Sequence, residues 1–172
     1  MSKWKINTSN KGKLEEFRKY LSGTITSMLE DIAEPDSDPL TVIQYKASQF
    51  ENVIVDDTSL EIEGEDIGVN IKWLMDSLPN FLGKKAVFTC LLGINCGDEV
   101  KIYKGLCNGV IVSPKGESFG FNKYFRPDSQ NKTFGEFIPD DINPRKIAVD
   151  NLLKDYTWVK LPLMKTWKGK FQ

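Results

Sequence analysis

NVIVDDTSLEIEG, Asn52–Gly64, sets two adjacent carboxylates inside a run that otherwise forms strand. Asn52 and the β-branched Val53, Ile54 and Val55 predict a short buried strand. It delivers Asp56 and Asp57 to its carboxyl end, and Thr58 and Ser59 follow as turn formers. Leu60, Glu61, Ile62 and Glu63 then alternate into a second strand that Gly64 stops. Neighbouring carboxylates repel and are costly where water is scarce, so placing them beside a core strand calls for a compensating cation. Mg²⁺ suits the position, because it is hard, takes oxygen ligands and shares them with phosphates. An Asp-Asp pair taken alone is more commonly a solvated acidic turn. The rest of the chain decides between the two.

Composition bounds the answer. A chain of 172 residues is one domain, or two lobes sharing a sheet, and can bury a core. The formal charge of −1 argues against a broadly basic nucleic-acid surface. No run of about 18 apolar residues predicts a membrane span, and Met1–Lys5 does not open a signal peptide. Cys90, Cys96 and Cys107 form no CxxC pair, which argues against a disulfide framework or a zinc site and fits a reducing cytoplasm. Histidine is absent from the sequence. Ser-His-Asp and Cys-His catalysis are thereby excluded. Any chemistry must run on carboxylates, lysines, hydroxyls and a hard metal.

From the start of the chain, Trp4–Thr8 reads as a strand ending in Thr8-Ser9-Asn10, residues suited to capping a helix. That helix runs from about Lys11 to Ser22 on an apolar face of Leu14, Phe17 and Leu21, with Gly23 beyond it. Its N-terminus suits a phosphate, and Lys13 could add a charge in the first turn. Helix starts of this kind are common, and a lysine there is more often a plain surface residue. Residues Thr24–Ile32 read as a strand, with Asp31 and Glu34 at its exit. Asp38-Pro39 opens a helix to about Glu51, and Lys46 lies beside its apolar stripe of Leu40, Ile43, Ala47 and Phe50. Such a lysine ordinarily snorkels to solvent, and Glu34 ordinarily sits solvated in a loop.

Val69–Leu78 is helical in pattern up to Pro79. Ala86–Ile94 is nearly all apolar and predicts a central strand. Its partner, Val100–Val112, is interrupted at Gly105 and Gly109. Trp73, Phe88 and Cys90 are expected to serve packing alone. Phe119-Gly120-Phe121 places rings around a glycine where a flat ligand could stack, and Asn122 could read a base edge; the same run could equally be a core-packing loop. Asn143-Pro144-Arg145 opens a helix through about Tyr156; an anionic ligand would explain an arginine in that first turn, and so would a plain surface position.

In order and spacing these pieces resemble the Ham1-type inosine triphosphate pyrophosphatase family, in particular its eukaryotic branch. The match comprises Thr8 to Glu16, then Asp31-Ile32-Ala33-Glu34 with Lys46 twelve residues on, Val55 to Thr58, Ile71-Lys72-Trp73, Ala86 to Cys90, Gly105 with Gly109, Phe119 to Phe121, and Arg145. It covers about Lys5 to Leu153. The resemblance implies an α/β fold with an elongated mixed central sheet, flanking helices and two lobes around a cleft. It implies one such domain over residues 1–172, with 157–172 as a tail, in a homodimer. The implied reaction is Mg²⁺-dependent hydrolysis of a nucleoside triphosphate to the monophosphate and pyrophosphate. By similarity, Thr8, Asn10 and Lys13 would hold the triphosphate, with Lys46 adding charge and Thr58 beside them. Glu34 and Asp57 would bind the metal, and Asp57 or Asp56 would position or deprotonate water. Phe119, Gly120, Phe121, Asn122 and Arg145 would line the base pocket.

The departures concern the base. The family has an aspartate where Asn122 stands and Ser-His-Arg where this chain has Asn143-Pro144-Arg145. A lysine expected about six residues before the arginine is missing, with Pro139, Asp140 and Asp141 in that region. The expectation is therefore pyrophosphate release with an altered or relaxed base preference, each unmade hydrogen bond changing discrimination by ~1–3 kcal/mol. Two rivals are a nucleotide-binding module without turnover, and nucleic-acid binding by the tail from Lys160 to Lys170 with Trp158 and Trp167. The tail is short for the second. Packing of Trp158, Leu161 and Leu163 on the body, or a dimer contact, suits it better.

Overall fold

A computed structural model describes residues 3–65 and 71–172, with backbone alone at 71–73. Its strands are β1 (Lys3–Asn7), β2 (Thr24–Met28), β3 (Ile54–Ile62), β4 (Lys85–Asn95), β5 (Val100–Ile111), β6 (Phe125–Pro127) and β7 (Val159–Leu161). They join one mixed sheet in the order β2-β1-β3-β4-β5-β6, with β7 also paired to β5. β1 runs parallel to β2 and β3, whereas the pairs from β3 through β7 are antiparallel. The helices are α1 (Lys11–Tyr20), α2 (Pro39–Ser48), α3 (Ile71–Ser77) and α4 (Pro144–Leu153).

Three helix starts follow from local chemistry. Asn10, Asp38 and Asn143 each accept a hydrogen bond from a backbone N–H of the first turn, and Pro39 and Pro144 occupy the first helical position of α2 and α4. The expected helix start at Val69 lies outside the described residues, as does the side chain of Trp73. Pro79 falls inside a 3₁₀ turn, Leu78–Phe81, that continues α3.

The central correction concerns the acidic stretch. Asp56 to Ser59 do not turn; β3 runs straight through them, paired with β4 from Ile54↔Ile94 to Ile62↔Ala86. A nine-residue ladder against the apolar β4 outweighs the local turn preference of Thr58-Ser59. Asn52 is not in the strand and takes a positive φ of 58°. β2 also stops at Met28 rather than Ile32. β5 is unbroken, and its glycines serve close approach instead of interruption. A Cβ at Gly105 would lie 2.0 Å from the Pro144 carbonyl oxygen, so α4 rests directly on the strand there.

Successive residues of β3 face opposite sides of the sheet. Ile54 joins a cluster with Phe17 and Leu21 of the α1 region and Ala148 and Val149 of α4. Leu60 and Ile62 join a second cluster on the same side, with Leu74, Phe88, Phe121, Phe125 and Phe134. Val55 faces the other way, into a cluster with Ile43 and Ala47 of α2. Asp56 and Thr58 therefore lie between the first two clusters, on their side of the sheet, and Asp57 faces away from them.

Candidate active site

The alternation of β3 gives its two aspartates different surroundings. Asp56 points to the α1 and α4 side, where its Oδ2 lies 2.9 Å from Lys13 Nζ and 3.8 Å from Arg145 Nη2. Asp57 points to the α2 side, toward Lys46. Both are buried, Asp56 to 4% and Asp57 to 8% exposure. Burial alone would raise the Asp56 carboxyl, but Lys13, Arg145 and Lys46 outweigh it and hold it below the ordinary range. Burial dominates at Asp57 and lifts its carboxyl to about 7; Lys46 opposes the shift, while Glu34 and Asp56 add to it. One strand thus carries a fixed anion beside a carboxyl poised near neutrality.

Lys46 is not a snorkelling lysine. It is 8% exposed, and its Nζ donates to the Asp56 carbonyl at 2.8 Å and to Glu34 Oε1 at 3.2 Å. Burial disfavours its charge, yet Asp56, Glu34 and Asp57 together raise its pKa. Glu34 is correspondingly a half-buried partner, not a free loop carboxylate.

Asp56 Oδ2 and Asp57 Oδ2 are both buried without a hydrogen-bond partner; Asp56 Oδ2 has the Lys13 ion pair beside it, whereas Asp57 Oδ2 has no ion pair among the described residues. Such an oxygen ordinarily costs stability, which a ligand can relieve. With Glu34 sharing its electrostatic neighbourhood, this donor set fits a hard cation that completes its shell with water and phosphate oxygens. Among the described residues no group of three or more acidic, cysteine or histidine side chains could hold a metal alone.

These groups line a cleft of about 650 Å³ together with Thr8, Asn10, Thr58, Phe119 and Gln172. Thr8 Oγ1 accepts from the Asn10 N–H and Asn10 Oδ1 from the Lys13 N–H, so the N-terminal turn of α1 is braced at the cleft wall. Helix dipole, free N–H groups and Lys13 favour an anion at that wall. All the expected site residues, Gly120, Phe121, Asn122 and Arg145 included, line this one cleft.

A model of the Ham1 family matches residues 4–155. The chain belongs to the Ham1 family. It is 32% identical over 160 residues to an inosine triphosphate pyrophosphatase of Yarrowia lipolytica, covering 79% of this chain and 84% of that one. A dITP/XTP pyrophosphatase of Korarchaeum cryptofilum is 29% identical over 152 residues, covering 75% of this chain and 81% of the relative. A HAM1 protein from Coxiella burnetii shares the fold with a TM-score of 0.70 at 22% identity, covering 91% of this chain and 98% of that one.

Within this Ham1 chain, the retained Arg145 and the departing Asn143 and Asn122 all bond to protein partners. Arg145 is 1% exposed; Nη1 donates to Glu16 Oε2 at 3.1 Å and Nη2 to Thr58 Oγ1 at 3.0 Å. Asn143 Nδ2 donates to Glu16 Oε2 and to the Tyr20 hydroxyl, each at 3.1 Å. Asn122 Nδ2 donates to Ser118 Oγ at 2.9 Å. Phe121 belongs to the aromatic core, its ring 4.7 Å from Phe88. The half-buried Phe119 ring lies 5.9 Å from the Arg145 guanidinium.

Sequence reasoning missed Glu16, although it lies three residues past Lys13 on α1, a spacing that shares a helix face. It also assigned Phe88 to packing alone, whereas Phe88 reaches both the core and the cleft. Gln172 gave no signal at all.

Proposed function

We propose that this Ham1 protein hydrolyses nucleoside triphosphates, with Mg²⁺, to the monophosphate and pyrophosphate, and that its base preference departs from the inosine and xanthosine type of its relatives. The observation that carries the reading is the β3 aspartate pair, one ion-paired to Lys13 and the other facing Lys46 and Glu34 across the cleft. Thr8, Asn10 and Lys13 are assigned to the phosphates, with Lys46 adding charge from the opposite wall. Glu34 and Asp57 are the residues that would hold Mg²⁺, which when bound would offset negative charge on the polyphosphate and on the leaving pyrophosphate.

Water attacks the α-phosphorus in line, a P–O bond forms, and the bond to the oxygen bridging toward the β-phosphorus breaks. The water proton passes to an aspartate of the β3 pair or to solvent. Lys13 and Lys46 stabilise charge moving onto the departing pyrophosphate. Nothing in this sequence of events needs histidine or cysteine.

The altered preference is supported by the internal bonds of Asn122 and Asn143, and by Asp140, which pairs with Lys19 and Tyr20 at the surface. Groups bonded to protein partners are withdrawn from reading a base edge. Each lost contact relaxes discrimination by ~1–3 kcal/mol. The test is a panel of inosine, xanthosine and ordinary ribo- and deoxynucleoside triphosphates, assayed for pyrophosphate with and without Mg²⁺. Cation-dependent pyrophosphate release from several bases, abolished in Asp57→Asn and Glu34→Gln, is the expected result. A strong preference for inosine triphosphate alone sinks the base assignment, and nucleotide binding without turnover sinks the hydrolytic one.

A further inference from the structure

The segment after β7 lies past the residues that the family model matches, and it does not hang free. It crosses one face of α2: Gln44 Nε2 donates to the Pro162 carbonyl at 2.9 Å, the Met164 N–H to Ser48 Oγ at 2.8 Å, and Gln49 Nε2 to the Lys165 carbonyl at 3.2 Å. Leu161 and Leu163 pack on the cluster beneath α2. Beyond them the segment turns back to the cleft. There Phe171 forms an antiparallel bridge with Pro35, and its ring meets the Tyr45 ring edge-on at 5.8 Å.

The residues engaged are those that deliver Glu34. The Gln172 N–H donates to the Glu34 carbonyl at 2.9 Å, the Asp36 N–H to the Lys170 carbonyl at 2.8 Å, and Gln172 Nε2 to the Pro35 carbonyl at 3.2 Å. Residues 29–38 contain no helix or strand of more than one residue. Asn7 Nδ2 holds the near end of this loop, through the Met28 and Glu30 carbonyls. Lys46 reaches the Glu34 side chain alone. The backbone at Glu34 is thus fixed on its far side by Lys170–Gln172.

We infer that Phe171 and Gln172 are positioning residues: they clamp the 34–36 backbone so that the Glu34 carboxylate stays in the cleft opposite Asp57. A loop without secondary structure samples many arrangements, and a carboxylate on it would otherwise be ordered only when a ligand bound. The strap makes that ordering in advance. Its catalytic consequence rests on the assignment of Glu34 to the cation; its structural consequence does not.

The test uses the full chain carrying Phe171→Ala, which removes the ring from Tyr45, or Gln172→Pro, which removes both donors to the loop. Phe171→Tyr keeps the ring and serves as rescue. Hydrogen exchange is read at residues 30–38, with β3 as internal control, alongside the half-saturating Mg²⁺ concentration for pyrophosphate release. Both disruptive variants are expected to speed exchange at 30–38 by about tenfold, the scale of one or two lost hydrogen bonds, while β3 and Tm hold. The Mg²⁺ requirement rises by several-fold in both, with kcat at saturating cation within about twofold for Phe171→Ala, and Phe171→Tyr keeps both readings at the level of the unaltered chain. Unchanged exchange at 30–38, or exchange rising equally at β3 with a falling Tm, overturns the inference. If the unaltered chain shows no turnover, the hydrolytic reading fails, and the exchange arm still judges the strap by itself.

Discussion

Asp57→Asn tests the electrostatics of the cleft without any assumption about substrate. Burial lifts the Asp57 carboxyl from its ordinary 3.8 to about 7. Because the folded value lies above the unfolded one, protonated Asp57 contributes stability that is complete below about pH 4 and is lost as pH rises through about 7. The ionised form is disfavoured by roughly 4 kcal/mol, at ~1.36 kcal/mol per pH unit of displacement. Asparagine stays neutral at every pH and suffers no such loss. In EDTA, the variant and the unaltered chain should agree to within about 1 kcal/mol near pH 4.

At pH 8 the variant should be the more stable by about 2–4 kcal/mol, or roughly 5–15 °C in Tm for a chain of this size. Taking the difference between the two proteins at each pH cancels most other titrating groups. Mg²⁺ should narrow the gap at pH 8, since a cation held by ionised Asp57 stabilises only the chain that has it. Differential scanning calorimetry across pH 4–8 gives the answer. A gap of the same size at both ends, or an Asp57→Asn chain no more stable at pH 8, would falsify the account of a desolvated, partnerless carboxylate.

Arg145→Ala leaves the half-buried Glu16 and the buried Asp56 with fewer cationic partners and should cost about 3–5 kcal/mol by chemical denaturation, with Arg145→Lys costing less because the charge survives and only the fork is lost. Gly12→Ala sets a Cβ 2.2 Å from Phe119 Cδ1, so the ring must swing away from α1. KM for a nucleoside triphosphate should then rise by about tenfold, the scale of one base–aromatic stack, while inhibition by inorganic tripolyphosphate stays unchanged. Gly105→Ala drives a methyl into the Pro144 carbonyl, which is backbone and cannot rotate aside. A loss of about 2–3 kcal/mol is expected, with pyrophosphate release falling because α4 carries Arg145 with it.

The parts of the fold governed by nearest neighbours in sequence were legible. Asn10, Asp38-Pro39 and Asn143-Pro144 mark helix starts because a cap answers to its own first turn. The apolar run of β4 marks a central strand for a similar reason. What failed depended on partners far away in the chain. Thr58 and Ser59 read as a turn, but Cys90 and Thr89 stand opposite them in the ladder, and no local rule sees that pairing. Gly105 read as an interruption, since its use appears only when Pro144 arrives 39 residues later. Lys46 read as snorkelling because the Asp56 carbonyl that receives its ammonium is placed by the packing of α2 on β3.

The same distance effect explains how the candidate site could be recognised before its geometry. Along a turn, Asp56 and Asp57 would share one environment, and their mutual repulsion would be the whole story. On a continuous strand they part to opposite faces. The α1 and α4 side supplies Lys13 and Arg145 and keeps Asp56 charged; the α2 side supplies Lys46 but also Glu34, and leaves Asp57 short of compensation. A single ladder therefore turns two identical side chains into an ion-paired anion and one left short of positive charge. The under-compensated carboxylate is where a cation would gain most by binding, because an incoming charge there relieves a desolvation penalty the fold already carries.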